Sequence, residues 1–233
     1  MSNKPLKHSD AKKLQKLMSR PPRSVGNRFI PPYTLIVSEG VKTEPNYIKS
    51  VADIINEKCG DISRHDRIKV YGTGMNTRSL LKFVYNMVES ENYQHFTEIW
   101  LMYDKDDFPY DDFDNTQFSI DGQSNPKHSY HAAWSNNCLE LWFVLHFQEL
   151  KSNIPREQYI EILKRYFPYD KTSPDIYNQI ISHNGSEEKA IQRAKELYCG
   201  YENTPPARMN PATRVFELIE LLRNYEEKLS QNI

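Results

Sequence analysis

Only three cysteines, Cys59, Cys138 and Cys199, occur in 233 residues, far apart and with no C-x-x-C pair. That scarcity argues against a disulfide framework and against a zinc ribbon, and predicts reduced thiols and a cytoplasmic location. No apolar run approaches the roughly 18 residues of a membrane span, and nothing near Met1 resembles a secretory apolar segment, so no membrane association is expected. No G-x-x-x-x-G-K-[ST] occurs either, which disfavours a P-loop nucleotide hydrolase. Net charge is also nearly lacking, at −1, but its distribution is uneven. Residues 1–31 hold eight basic side chains against the single acid Asp10, while residues 98–114 hold seven acids against Lys105 alone. The first stretch is a basic arm that suits either phosphate-backbone contact or simple solubility. A cation would relieve the repulsion in the second.

What is present is an alternation of strands and helices. Thr34 to Ser38 reads as a first strand. Glu44 to Cys59 reads as a helix, with Thr43 as its N-cap, Pro45 in its first turn, an apolar stripe of Tyr47, Ile48, Val51, Ile54 and Ile55, and Gly60 as its stop. Ile68 to Tyr71 is a second strand, Leu80 to Val88 carries the stripe of a second helix, and Glu98 to Tyr103 is a third strand. Gly72-Thr-Gly74 offers a phosphate-loop hint, with a plain strand-to-helix turn as the more economical reading. From Phe108 to about Ser129 periodicity is lost and a long loop is expected. Tyr130 to Trp134 reads as a fourth strand, Ser135-Asn136-Asn137 as a turn, and Cys138 to Glu149 as a buried helix. Helices are expected over 156–167, 174–182, 186–197 and 211–229. The fold class is α/β: a parallel sheet with helices on both faces, spanning 32–150, preceded by the arm and followed by a helical extension over 151–233 packed on it.

Two of these strands end in carboxylates, at Glu39 and at Asp104-Lys-Asp106-Asp107. In a parallel sheet, ligands bind at the carboxyl ends of strands, so the two acid tips can meet if the strands are neighbours. Asp104 and Asp106, two apart, share a face while Lys105 points elsewhere. Hard oxygen ligands of this kind suit Mg2+ or Mn2+. Turn formation and helix capping are the structural alternatives for the same acids. Glu140, in a buried first helical turn, needs a partner: the helix N-terminus, a basic side chain or a metal. For His146 the choice is between a ligand and a hydrogen-bonded core histidine, and the core reading is the more economical.

Ser38-Glu-Gly-Val-Lys-Thr-Glu-Pro-Asn-Tyr47, Tyr103-Asp-Lys-Asp-Asp107, Ser135-Asn-Asn-Cys-Leu-Glu-Leu-Trp-Phe-Val-Leu-His-Phe147, Ala190-Ile-Gln-Arg-Ala194 and Asn210-Pro-Ala-Thr213 together resemble the RloB-like family, from about Tyr33 to Leu222. That family is associated with bacterial restriction and phage-defence loci. The resemblance implies a Toprim-like core, with Glu39 near the reacting phosphate, Asp104 and Asp106 holding divalent metal, and Glu140 aligned with an acid that serves a second metal. Asp107 joins the candidate metal ligands and Lys105 the candidate catalytic residues. Gly40, Lys42, Thr43, Glu44, Ser135 and Asn136 become candidates for substrate binding, with Lys42 or Lys105 balancing developing charge. One departure stands out: the family's Ser-Asn-Pro-Cys-Phe-Glu reads Ser-Asn-Asn-Cys-Leu-Glu here, which is expected to loosen the turn that aims Glu140 while keeping the acid.

The expected activity is Mg2+- or Mn2+-dependent hydrolysis of phosphodiesters in DNA or tRNA, in anti-phage defence of the abortive-infection kind. Expected partners are nucleic acid, a separate ATPase and other copies of the chain. The alternative is a non-catalytic component that binds nucleic acid or a phage protein. A phosphoacceptor receiver domain would place its acid pair after the first strand, which is the wrong order here.

Overall fold

A computed structural model describes residues 29–60, 65–105 and 109–231. Most of the basic arm, and Asp106 and Asp107 of the acid cluster, lie outside these residues. A five-stranded sheet, ordered β2-β1-β3-β4-β5, forms the centre. Its strands are β1 (Thr34–Ser38), β2 (Ile68–Gly72), β3 (Glu98–Asp104), β4 (Ser129–Asn136) and β5 (Ala212–Thr213). The first four pair in parallel; β5 pairs with β4 in the antiparallel sense, so the sheet is mostly rather than wholly parallel.

The α-helices of the described residues are α1 (Thr43–Cys59), α2 (Thr77–Val88), α3 (Tyr110–Asp121), α4 (Glu140–Leu145), α5 (Arg156–Tyr166), α6 (Ile176–Ser182), α7 (Glu187–Cys199) and α8 (Val215–Ser230). They cover both faces, as the alternation of strand and helix predicts, and the arrangement is consistent with a Toprim-like core. Because β1 and β3 are buried on both sides, their residues alternate between two apolar clusters rather than between core and solvent. Ile36, Trp100, Met102 and Ala133 pack against α1, α4 and α8. Leu35, Val37, Leu101, Tyr103 and Trp134 pack with Leu80, Val84, Phe113 and Ile120 of α2 and α3. The first cluster also takes residues from α5, α6 and α7, so the last third of the chain shares one core with the first.

Three expectations need correction. The helix expected over 211–229 begins only at Val215, because Ala212 and Thr213 form β5. The stretch after Phe108 is not a long loop: α3 occupies Tyr110–Asp121. Its inward stripe is Phe113, Thr116, Gln117 and Ile120, all at most 4 % exposed, and the two polar members hide the helical period. Gln117 is buried because it is satisfied; its Oε1 accepts from Trp134 Nε1 at 2.8 Å and its Nε2 donates to Asp121 Oδ1 at 2.7 Å. The helix expected over 138–149 is shorter, Glu140–Leu145. Its final carbonyls are captured from α7 instead of by further helix: Arg193 Nη1 donates to Leu145 O at 2.7 Å, and Ser186 N to His146 O at 3.0 Å.

Candidate functional site

The chain leaves β1 for β2 on one side and later returns to β3 on the other, so the order of strands reverses at β1. In open α/β sheets ligands bind at such a point, beyond the carboxyl ends of the strands. A cleft of about 270 Å3 lies there, lined by Glu39, Gly40, Lys42, Asp104, Arg156 and Lys171, together with Val41, Thr43, Glu44 and Thr172.

Glu39 and Asp104 therefore come to one cleft, as the acid-tipped strands suggest. They reach it from opposite faces of the sheet. The β1–β3 register ends at Ser38 and Met102, one residue before Glu39 and two before Asp104, and the anchors of the two acids come from opposite layers of helices. Glu39 Oε2 accepts from Thr77 Oγ1 at 3.0 Å, at the start of α2. Asp104, 8 % exposed, accepts from Leu139 N at 3.2 Å, just before α4.

The first turn of α1 closes one wall. Glu44 folds back so that its carboxylate lies over Gly40, where any β-carbon would overlap it. Only glycine permits that approach. The Glu44 carboxyl is held above its usual range, chiefly by burial and further by Glu140, against the pull of the Glu44 and Gly40 backbone N–H groups and of Arg156. Thr43 does not cap the helix through its side chain. Its Oγ1 donates instead to Lys171 O at 2.8 Å, and Asn46 Nδ2 donates to Ser173 O at 3.0 Å, pinning the 170–173 turn over α1. Within that turn the Asp170 carboxylate accepts from Thr172 N at 2.8 Å, which holds its carboxyl below the usual range, and Lys171 is delivered to the cleft.

Glu140 lies behind this wall, 1 % exposed. A basic side chain stands near it: Arg156 Nη2 is 3.6 Å from Oε2, an atom that accepts no hydrogen bond, while Tyr169 donates to Oε1 at 3.1 Å. Glu140 thus meets the cleft through Arg156. Cys138 sits between these acids, and burial followed by repulsion from Glu140 and Asp104 raises its thiol, leaving it protonated and unreactive at neutral pH.

Other expected site residues are not among those that line the cleft. Lys105 is 6 % exposed and does not line the cleft. Ser135 and Asn136 are not a turn but the end of β4: Ser135 is in register with Asp104 on one side and with Thr213 on the other, and Asn136 pairs with Ala212. Ser135 Oγ bonds Thr213 Oγ1 at 3.0 Å and Asn136 Nδ2 donates to Ala207 O at 3.0 Å, so both serve the sheet edge. Gly72-Thr-Gly74 is a turn and not a phosphate cradle, because Thr73 N and Gly74 N already donate to Ser38 O and Glu39 O at 3.0 and 2.8 Å. His146 is a core histidine: Nδ1 lies 2.9 Å from Trp142 O and Nε2 3.2 Å from Tyr47 Oη.

Val41, Arg156, Lys171 and Thr172 are the cleft residues that sequence reasoning missed, and the two cations among them matter most. Arg156 carried one signal, since a cation in the first turn of a helix opposes the helix dipole and so points to an acidic partner elsewhere. Lys171 carried none.

The family model described as RloB-like protein matches residues 34–222. The chain belongs to the RloB-like family. That match includes every RloB-like cleft residue named above and both acid-tipped strands. No curated protein and no solved structure matches this RloB-like chain.

Two carboxylates at one cleft fit a hard divalent cation that retains waters and takes phosphate oxygens as further ligands. They do not make a closed cage: among the described residues, no three His, Cys, Asp or Glu side chains gather to hold a metal ion.

Proposed function

We propose that this cleft hydrolyses phosphodiester bonds in nucleic acid with the help of Mg2+ or Mn2+. The observation that carries the reading is the meeting of Glu39 and Asp104 at the carboxyl ends of adjacent strands, in a cleft that also holds Lys42, Arg156 and Lys171. Glu39 and Asp104 would hold the ion. When bound, such an ion polarises a phosphoryl oxygen and lowers the proton affinity of a coordinated water. Lys42 and Lys171 flank the acids and draw the phosphate backbone toward them, and Arg156, ion-paired with Glu140 at 3.6 Å, adds a third cation to the cleft. Thr77 holds the Glu39 carboxylate in place before substrate arrives. The family's association with restriction and phage-defence loci supports placing this activity in anti-phage defence, with a separate ATPase as partner.

The test incubates the purified chain with plasmid, single-stranded DNA and total tRNA in Mg2+ or Mn2+, beside Asp104→Asn and Glu39→Gln. An asparagine at 104 still accepts from Leu139 N–H, so the fold is expected to survive. Cleavage of one substrate class, stopped by EDTA and by either substitution, supports the reading. Full cleavage in Asp104→Asn overturns the assignment, and nucleic-acid binding without cleavage in any condition favours the non-catalytic alternative.

A further inference from the structure

Glu140 lies behind the cleft without lining it, and its two oxygens are treated unequally. Tyr169 donates to Oε1 at 3.1 Å, whereas Oε2, in a side chain 1 % exposed, accepts no hydrogen bond. Buried polar atoms are nearly always hydrogen-bonded, so the exception asks for a reason. The cation beside Oε2 is Arg156, with Nη2 at 3.6 Å, an ion pair outside hydrogen-bond distance. The Arg156 side chain is 42 % exposed and lines the cleft. Its guanidinium therefore spans from a buried charge to the open site.

The family resemblance aligns Glu140 with an acid that serves a second metal. The contacts of this chain do not favour that role. An ion on Oε2 would sit on an oxygen that already faces a guanidinium, and two cations on one buried carboxylate repel strongly where the dielectric is low. Glu140 is instead tied to the binding surface. Tyr169, which holds its other oxygen, belongs to the connection between α5 and α6, residues 167–175. Two residues on, that connection delivers Lys171 to the cleft, and it is fastened to α1 where Lys171 O accepts from Thr43 Oγ1 at 2.8 Å. One segment thus sets a cation of the cleft and also the acid that steers another.

Charge decides when Arg156 can take a phosphate. Lys42, Arg156 and Lys171 face Glu39, Glu44 and Asp104, with Glu140 behind them, so the acids outnumber the cations until an ion binds. A divalent ion on Glu39 and Asp104 turns that deficit into an excess of positive charge. Arginine presents five N–H donors in a planar fork, so a contact with one carboxylate oxygen does not exhaust it, and the fork matches two oxygens of a phosphate. We propose that Arg156 clamps a phosphate of the bound strand and that Glu140 is its positioning residue, not a metal ligand. The inference rests on the hydrolase reading for its ion and its strand, and adds which side chain grips that strand.

Calorimetric titration of the full chain with Mn2+ alone is the first arm of the test. Glu140→Gln, whose amide oxygen still accepts from Tyr169, is expected to bind as many ions as the parent and as tightly, whereas Glu39→Gln is expected to weaken binding by at least about tenfold. The second arm measures, in Mn2+, binding of an eight-nucleotide single strand, as DNA and as RNA, with phosphorothioate linkages that resist hydrolysis. Arg156→Ala should weaken it about tenfold, the loss of a charge-assisted hydrogen bond. Glu140→Gln should weaken it too, although it removes a negative charge and would by charge alone tighten the hold on the strand. In the Arg156→Ala background Glu140→Gln should add nothing, because it acts through the missing side chain. Arg156→Lys, which keeps the charge and loses the fork, completes the same cycle if the bare Glu140 of Arg156→Ala prevents folding. The assignment is overturned by an ion lost in Glu140→Gln, by tighter strand binding in that variant, by an equal effect of Glu140→Gln in both backgrounds, or by no strand binding in the parent. The expected strand pattern without any Mn2+ binding or cleavage sinks the hydrolase reading and leaves Arg156 assigned. Cleavage by the parent together with an ion lost in Glu140→Gln does the reverse.

Discussion

Lowering the pH from 7 to 4 should remove about 3 kcal/mol of stability through His146 alone. Trp142 O can only accept, so Nδ1 carries the proton and donates to it, which leaves Nε2 as the acceptor for the Tyr47 hydroxyl. The ring is 1 % exposed, and burial, reinforced by Arg193, brings its pKa from 6.5 down to about 4 despite the favourable bond to Trp142. Between those two values the unfolded chain binds a proton that the folded chain refuses. Stability from this group is therefore complete above pH 6.5 and is lost as pH falls toward 4. A shift of about 2.5 units at ~1.4 kcal/mol each gives a ceiling near 3.4 kcal/mol, of which about 3 is reached by pH 4. Guanidinium unfolding of the parent and of His146→Gln across pH 4 to 7.5 measures it. Absolute stability will fall in the variant, so the quantity compared is the change with pH, which should be smaller in His146→Gln by about 3 kcal/mol. Equal pH dependence in the two proteins would refute the argument, as would an NMR titration in which the His146 ring becomes charged near pH 6.5.

Three further outcomes follow from particular contacts. Gly40→Ala should push the Glu44 carboxylate off its buried seat, and because only the tip of that side chain is in the way the change in melting should be small, below about 1 kcal/mol; the pH dependence that Glu44 confers should be lost with it, and a large loss of stability would mean that the side chain cannot leave. Glu44 acts on pH in the sense opposite to His146: its raised carboxyl binds a proton in the fold that the unfolded chain has released, so stability falls as pH rises above about 4.5. Glu44→Gln should remove that decline, and the melting difference between variant and parent should grow in the variant's favour across this window. Gln117→Leu should leave Trp134 Nε1 without an acceptor in the core and cost about 1–3 kcal/mol by denaturant melting, with the indole N–H chemical shift reporting the lost bond; an unchanged shift would refute it.

The parts legible in the sequence are those whose side chains repeat. Leu35 to Val37 and Ile99 to Tyr103 are continuous apolar runs because both faces of the sheet are covered, and the carboxylates that follow them stand out against that background. The α3 helix was invisible because Thr116 and Gln117 occupy inward positions, and a periodicity reading counts them as solvent-facing. With two residues, β5 has no period to detect; it exists because Ser135 and Asn136 leave an edge that Ala212 and Thr213 complete. The cleft was half legible. Glu39 and Asp104 announce themselves by position on their strands, but Lys171 arrives through the Thr43 and Asn46 contacts, more than 120 residues away in the chain. No local pattern encodes such a meeting.

The two acids of the cleft take their anchors from different helical layers, Glu39 from Thr77 of α2 and Asp104 from the entry to α4. Their spacing is thus inherited from two independent packings divided by the sheet. A substitution that displaces α2 moves one acid and leaves the other, and the same holds in reverse for α4. In a selection for restored function, second-site revertants of a lesion under one layer should therefore cluster either in that layer or directly across the sheet from it, and damage to both layers at once should be rescued by no single change.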